Sequence, residues 1–189
     1  MKTCPKTGFR QARAIVATLA GTICGMTIAA QQLPGNGAQV QREAMQKLAF
    51  LAGRWSGPVT VIRGPGGPLH LTQTENVAFK LDGLVLLIEG QSTGADGKGR
   101  FQALATIAYD DATHSYHIRA YNEGHYLDTE LTVLADEFSW GFQGGPAHVV
   151  NTMHLGAKGQ WQETTEVTFG SNPPAQERGD GARETGIND

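Results

Sequence analysis

Glu75 is a carboxyl set in an apolar row. Leu71, Gln73, Glu75, Val77 and Phe79 recur at every second position, and side chains two apart on a strand share a face. Two readings follow. Turned inward, the carboxyl needs a partner or keeps its proton, because a buried charge without either is costly. Turned outward, it is a solvated group on an edge-like strand. Arg119 is the basic residue of the middle strands. If it meets Glu75 inside, the two could orient the polar end of a ligand whose body lies on aliphatic walls. His117, Arg119 and Tyr121 alternate on one face and form either a cavity row or a surface polar row.

Other polar residues promise less. Glu89 alternates with Val85 and Leu87 near a strand end and is expected at the rim. His114 and His117 have a spacing that suits a metal on a helix, but on a strand residues three apart face opposite sides. By the same rule Glu163 and Glu166 form no carboxylate pair unless a bulge intervenes. His125 is expected in a hairpin. The chain has no Gly-x-Ser-x-Gly elbow, phosphate loop or His-Glu-x-x-His motif. No metal site and no catalytic residue are therefore assigned.

The elements that must position these groups are mostly strands. Val40, Ala44, Met45, Leu48 and Leu51 follow three- and four-residue steps, which predicts an amphipathic helix from Gln39 to Leu51, stopped by Gly53. Period two then takes over. Strands are expected at Trp55–Ile62, His70–Lys80, Leu84–Glu89, Arg100–Tyr109, Tyr116–Tyr121, Tyr126–Leu134, Phe138–Gln143, Val149–Leu155 and Trp161–Phe169, separated by Gly-, Pro- and Asp-bearing turns. About nine short strands at hairpin spacing predict an all-β, antiparallel barrel of about 8–10 strands with a short N-terminal capping helix. Trp55, Trp140 and Trp161 read as packing anchors, with Trp55 plugging the closed end.

The ends of the chain read differently. Lys2, Lys6, Arg10 and Arg13 precede an apolar run from Ala14 to Ile28 and small residues at Ala29 and Ala30. This predicts a signal peptide over 1–30 and a secreted or periplasmic protein, with no transmembrane segment left after cleavage. Both cysteines, Cys4 and Cys24, fall in that leader, which leaves neither a disulfide framework nor a thiolate site in the mature chain. The whole chain carries 15 Lys+Arg against 18 Asp+Glu. Loss of the four basic leader residues leaves 11 against 18, a balance that disfavours nucleic acid as a partner. Residues 31–38 read as a linker and 39–170 as the barrel domain. Residues 171–189, polar and rich in glycine and charge, read as a disordered tail.

Entered from an apolar helix, Gly53-Arg-Trp-Ser-Gly57 resembles the opening of the calycin group, which includes lipocalins, fatty-acid-binding proteins and nitrobindin-like haem barrels. The chain is more closely similar to a family of uncharacterised, lipocalin-like bacterial secreted proteins. These share the Leu-x-Phe-Leu-x-Gly-x-Trp phrase, here Leu48 to Trp55, a Glu-bearing second strand (Glu75) and an apolar "LDG" hairpin (Leu81-Asp82-Gly83). The resemblance makes Gly53, Trp55 and Gly57 the structural signature. Lipocalins usually cover that Trp with an Arg near the last strand, yet after Arg119 the next Arg here is Arg178, in the expected tail. Haem in the nitrobindin-like group uses a late histidine, and His154 lies in roughly that region; otherwise no cofactor is implied.

The expectation is thus a secreted or periplasmic protein binding a small hydrophobic or amphipathic molecule, with Glu75, His117, Arg119 and Tyr121 as polar contacts. The alternatives are an enzyme in which Glu75 or His117 acts as base on a lipid-like or ketonic substrate, and a non-catalytic envelope accessory protein with a filled barrel.

Overall fold

The computed structural model describes residues 36–62, 67–172 and 175–183. The expected signal peptide and most of the expected linker lie outside the described residues. Gly37 and Ala38, assigned to that linker by sequence, begin a helix.

Helix α1 spans Gly37–Met45 and passes directly into a 3₁₀ turn over Gln46–Leu51. Its apolar stripe is buried, with Met45, Leu48 and Leu51 essentially inaccessible. Polar side chains hold it to the barrel: Gln41 Nε2 donates to the Leu84 carbonyl at 2.9 Å and Arg42 Nε to the Asp82 carbonyl at 2.9 Å. The Tyr116 hydroxyl donates to the Ala44 carbonyl at 2.8 Å. The "LDG" turn, Leu81–Gly83, is therefore the hairpin to which the helix is tied.

Ten antiparallel strands follow: β1 Gly53–Ile62, β2 Pro68–Lys80, β3 Val85–Thr93, β4 Gly99–Asp110, β5 Ser115–Asn122, β6 His125–Val133, β7 Glu137–Gly144, β8 Ala147–Leu155, β9 Trp161–Phe169 and β10 Ala175–Arg183. Neighbours in sequence pair with one another, and β10 pairs with β1 to close the barrel. Closure gives every strand a neighbour on both sides, which reduces the aggregation hazard of an open meander. The β6–β7 seam is the shortest, paired only from Leu131 opposite Trp140 to Val133 opposite Phe138.

The tenth strand corrects the expectation of a disordered 171–189 tail, since Ala175–Arg183 runs between β9 and β1. Residues 184–189 lie outside the described residues. Strand β10 lacks the apolar alternation of its neighbours because two of its inward positions are Gly179 and Gly181. The two strands β1 and β10 approach closely, and this constrains β1: a Cβ at Gly57 would lie 1.7 Å from the Asp180 carbonyl oxygen and 2.7 Å from the Gly181 Cα. Only glycine fits at position 57.

The core occupies the helix end. Trp55, Val77, Leu86, Ile107, Ile118, Phe138 and Met153 pack there beneath Met45, Leu48 and Leu51. Trp55 is 2 % exposed. Its indole N–H donates to the Leu51 carbonyl at 2.7 Å, and its ring meets Trp161 edge-on at 5.7 Å. Arg183, on β10, sets its guanidinium carbon 4.6 Å above the Trp55 ring and donates from Nη2 to the Phe50 carbonyl at 2.6 Å. The tryptophan is therefore covered by an arginine of the last strand, which sequence reasoning missed along with the strand that carries it. Gly53, with φ 134°, makes the break from the 3₁₀ turn into β1.

Candidate functional site

Below the Trp55–Trp161 layer the barrel is not filled. A cavity of about 270 Å³ lies against β1, β2, β4, β9 and β10. Its existence follows from side-chain size. Gly57, Ala103, Gly179 and Gly181 all line it, so positions that would project bulk across the barrel carry little or none. Trp55, Phe101, Trp161 and Val61 supply apolar wall.

Two carboxyls enter this space from different strands. Glu75 sits on β2 opposite Trp55 of β1 and Gly90 of β3. A Cβ at Gly90 would come within 2.8 Å of both Glu75 carboxyl oxygens, so the absent side chain is what seats the carboxyl. Gln73 Nε2 donates to Glu75 Oε1 at 2.6 Å, while Glu75 Oε2 has no hydrogen-bond partner. Burial pushes the Glu75 pKa from 4.5 to about 7; the Gln73 hydrogen bond opposes that rise and the charge of Glu163 adds to it. Glu163, on β9, also has its pKa raised by burial, against a hydrogen bond donated by the Trp161 indole. It is half-buried and lines the cavity.

Further buried polarity surrounds the pair. Gln73 Oε1 and Ser92 Oγ lack partners, and Ser92 is wholly buried. In register, Ser92 lies between Gln73 of β2 and Phe101 of β4, both of which line the cavity. Thr165 Oγ1 donates to Asn151 Oδ1 at 2.7 Å. Buried polar atoms in native proteins are nearly always paired. Two unpaired oxygens at one cavity, on Gln73 and Glu75, therefore mark a place where a bound molecule or water completes the bonding.

The other residues singled out from the sequence lie elsewhere. On β5 it is Tyr116 and Ile118 that are buried, so His117, Arg119 and Tyr121 take the outer face. Arg119 does not meet Glu75. It forms an ion pair with Asp128 on β6, with Nε 3.0 Å from Oδ2. His117 Nε2 lies 3.0 Å from Ser115 Oγ. Tyr121 is 45 % exposed and borders an outer, polar groove with Leu104 and Tyr126. Glu89 is exposed and accepts from Asn76 Nδ2 at 3.2 Å. His154 is exposed on β8, between Glu137 and Gln162 in register. It cannot reach the interior, so the residues present do not fit a haem held through it. Among the described residues no group of three His, Cys, Asp or Glu side chains could hold a metal ion.

Glu163 is the site residue that sequence reasoning missed. Its signal was parity with Trp161, two positions earlier on the same strand. Glu166, three positions further on, takes the opposite face.

No protein-family model and no curated protein matches the sequence. Among solved structures the barrel is similar to the crystal structure of Rv2717c from M. tuberculosis, at 12 % identity and a TM-score of 0.56, over 75 % of this chain and 97 % of that one. At that identity the likeness concerns the fold. A ten-stranded antiparallel barrel with this neighbour is consistent with a calycin-like architecture.

Proposed function

We infer that this protein binds a small, mainly apolar molecule inside its barrel, with the apolar body against Trp55, Phe101 and Trp161 and a polar end toward Glu75 and Glu163. The observation that carries this reading is the cavity of about 270 Å³ into which buried oxygens without partners converge. Size narrows the ligand. An apolar cavity of about 150 Å³ holds benzene, and drug-sized ligands need roughly 300–1,000 Å³. A molecule of one or two rings fits this space; a long acyl chain does not. A filled barrel serving an accessory role is disfavoured by the same cavity. The basic start and apolar run of residues 1–30 support export of a lipocalin-like protein, which would meet its ligand outside the cytoplasm.

Native mass spectrometry of protein purified from its own host, followed by solvent extraction, tests the reading. The expected result is a stoichiometric small molecule that leaves on extraction and quenches Trp55 and Trp161 fluorescence when returned. A protein that retains nothing, and whose tryptophans respond to no molecule of this size, would overturn it.

One observation favours a second reading, an enzyme working in the same cavity. A carboxyl with pKa about 7 is poised to move protons near neutral pH. Glu75 would be the base; His117, on the outer face, would take no part. Exchange of α-hydrogens of small ketones with D₂O, abolished by Glu75→Gln, would favour catalysis over binding.

A further inference from the structure

We propose that the cavity is selective for a small organic cation, an aromatic or alkyl amine whose ammonium group sits between Glu75 and Glu163 while its apolar part lies against the tryptophans. The inference rests on the binding reading above and specifies the chemistry of the ligand.

Charge at the cavity is one-sided. Glu75 and Glu163 come from strands β2 and β9 and share the space. The polar side chains that line the same space are uncharged: Gln73 from β2 and Thr165 from β9, with Ser92 of β3 and Asn151 of β8 next to them in register. The other charged residues at the cavity, Arg178 and Asp180 on β10, pair with each other at 3.3 Å on the exposed side. Arg183 is engaged on the far side of Trp55, against the Phe50 carbonyl. Among the described residues no basic side chain is left at the cavity to neutralise the two carboxyls.

Three classes of ligand head can be compared against this arrangement. A carboxylate or phosphate would face two acids and no cation, so it is repelled or forces both to stay protonated. A hydroxyl could bond Glu75 Oε2 but leaves the acid pair uncompensated. An ammonium group donates up to three hydrogen bonds, enough to satisfy Glu75 Oε2 and a Glu163 oxygen, and supplies the missing charge. Ring faces add a cation–π contribution to the same group. Gln73 Oε1, which lacks a partner at the same cavity, offers another acceptor.

The pair also sets a pH signature. Both carboxyls hold their protons to higher pH than in water. An ammonium ion favours the ionised pair, so binding expels a proton and affinity rises with pH until the pair is already ionised. An aliphatic amine stays charged through that range, with a pKa of roughly 10.

The test compares benzylamine, benzyl alcohol and benzoate, three ligands of one size, by isothermal titration calorimetry with the full chain. Benzylamine is expected to bind at least tenfold more tightly than benzyl alcohol at pH 7.5, with benzoate weakest. Its affinity is expected to rise at least tenfold between pH 5 and pH 7, while that of the alcohol stays flat. Glu75→Gln and Glu163→Gln should each reduce the amine-to-alcohol ratio severalfold. Alcohol binding equal to that of the amine, with no pH slope, would overturn the cation proposal and leave small-molecule binding standing. Failure of all three ligands, together with no retained molecule in the native spectrum, would overturn both. The ligand comparison and pH series need no variant, so the outcome does not depend on whether either substitution folds.

Discussion

A chain that ends at Gly170 is expected to lose cooperative folding. Strand β10 pairs with β9 from Ala175 opposite Val167 to Gly181 opposite Trp161, and with β1 from Arg178 opposite Thr60 to Arg183 opposite Trp55. Its removal opens the barrel along two strands and leaves the backbone groups of both unpaired. Each net hydrogen bond contributes about 0.5–1.5 kcal/mol, and a domain's total stability is on the order of 5–15 kcal/mol. Losing a whole strand's pairing is therefore comparable to the entire margin. Trp55 also loses the Arg183 guanidinium above its ring. The point variant Arg183→Ala calibrates that last contribution. It removes one exposed cation–π contact and one charge-assisted hydrogen bond, and should cost about 1–3 kcal/mol while the strand stays in place. Thermal unfolding followed by near-ultraviolet circular dichroism distinguishes the two variants. A truncated chain that unfolds cooperatively with the full chain's midpoint would show that β10 contributes nothing.

The second large effect concerns Glu75. Its carboxyl titrates near 4.5 in the unfolded chain and near 7 in the folded one. Below pH 4.5 both states carry the proton and folding incurs no penalty. Between 4.5 and 7 the folded state keeps a proton that the unfolded chain releases, so stability falls as pH rises. Above 7 the full penalty applies. At about 1.4 kcal/mol per pKa unit, the difference is on the order of 3 kcal/mol. Replacing Glu75 with Gln removes the titrating group and keeps an oxygen to accept from Gln73. The variant is expected to match the parent near pH 4.5 and to exceed it at pH 8 by on the order of 5–10 °C in Tm, for a domain of this size. Natural proteins retain such destabilising groups chiefly where function requires them. A Glu75→Gln protein that melts below its parent at pH 8 would mean that the ionised carboxylate is stabilising, the opposite of what its burial implies.

Much of the architecture was legible from residue periodicity. Helix, turns and nine strands follow from where Leu, Ile, Val and the aromatics recur, because burial of one face is what drives those elements together. Strand β10 was not legible for a physical reason. Its inward positions include Gly179 and Gly181, which line the cavity and leave it open. A strand that must make room carries no apolar row to announce it. The arginine over Trp55 was missed with it.

At the site, alternation alone could not decide between faces. On β2 the row Leu71, Val77, Phe79 points inward and takes Glu75 along. On β5 both faces hold a tyrosine, and the choice falls to Tyr116 and Ile118 because they meet the helix and core. Arg119 consequently turns out to Asp128, and Glu163 takes the place beside Glu75 that Arg119 was expected to fill. The replacement of a cation by a second acid changes the chemistry of the cavity, from a charge-balanced pair to an acid pair suited to a cationic head.

The most direct test of that acid pair is a carbon-13 NMR titration of the glutamate side-chain carboxyls, with and without saturating benzylamine. In the free protein, the Glu75 carboxyl should titrate near 7 and the Glu163 carboxyl above the usual carboxylate range, both shifting downward when the amine is bound. Two carboxyls titrating near the ordinary value of 4.5, unmoved by the amine, would contradict the acid-pair cavity.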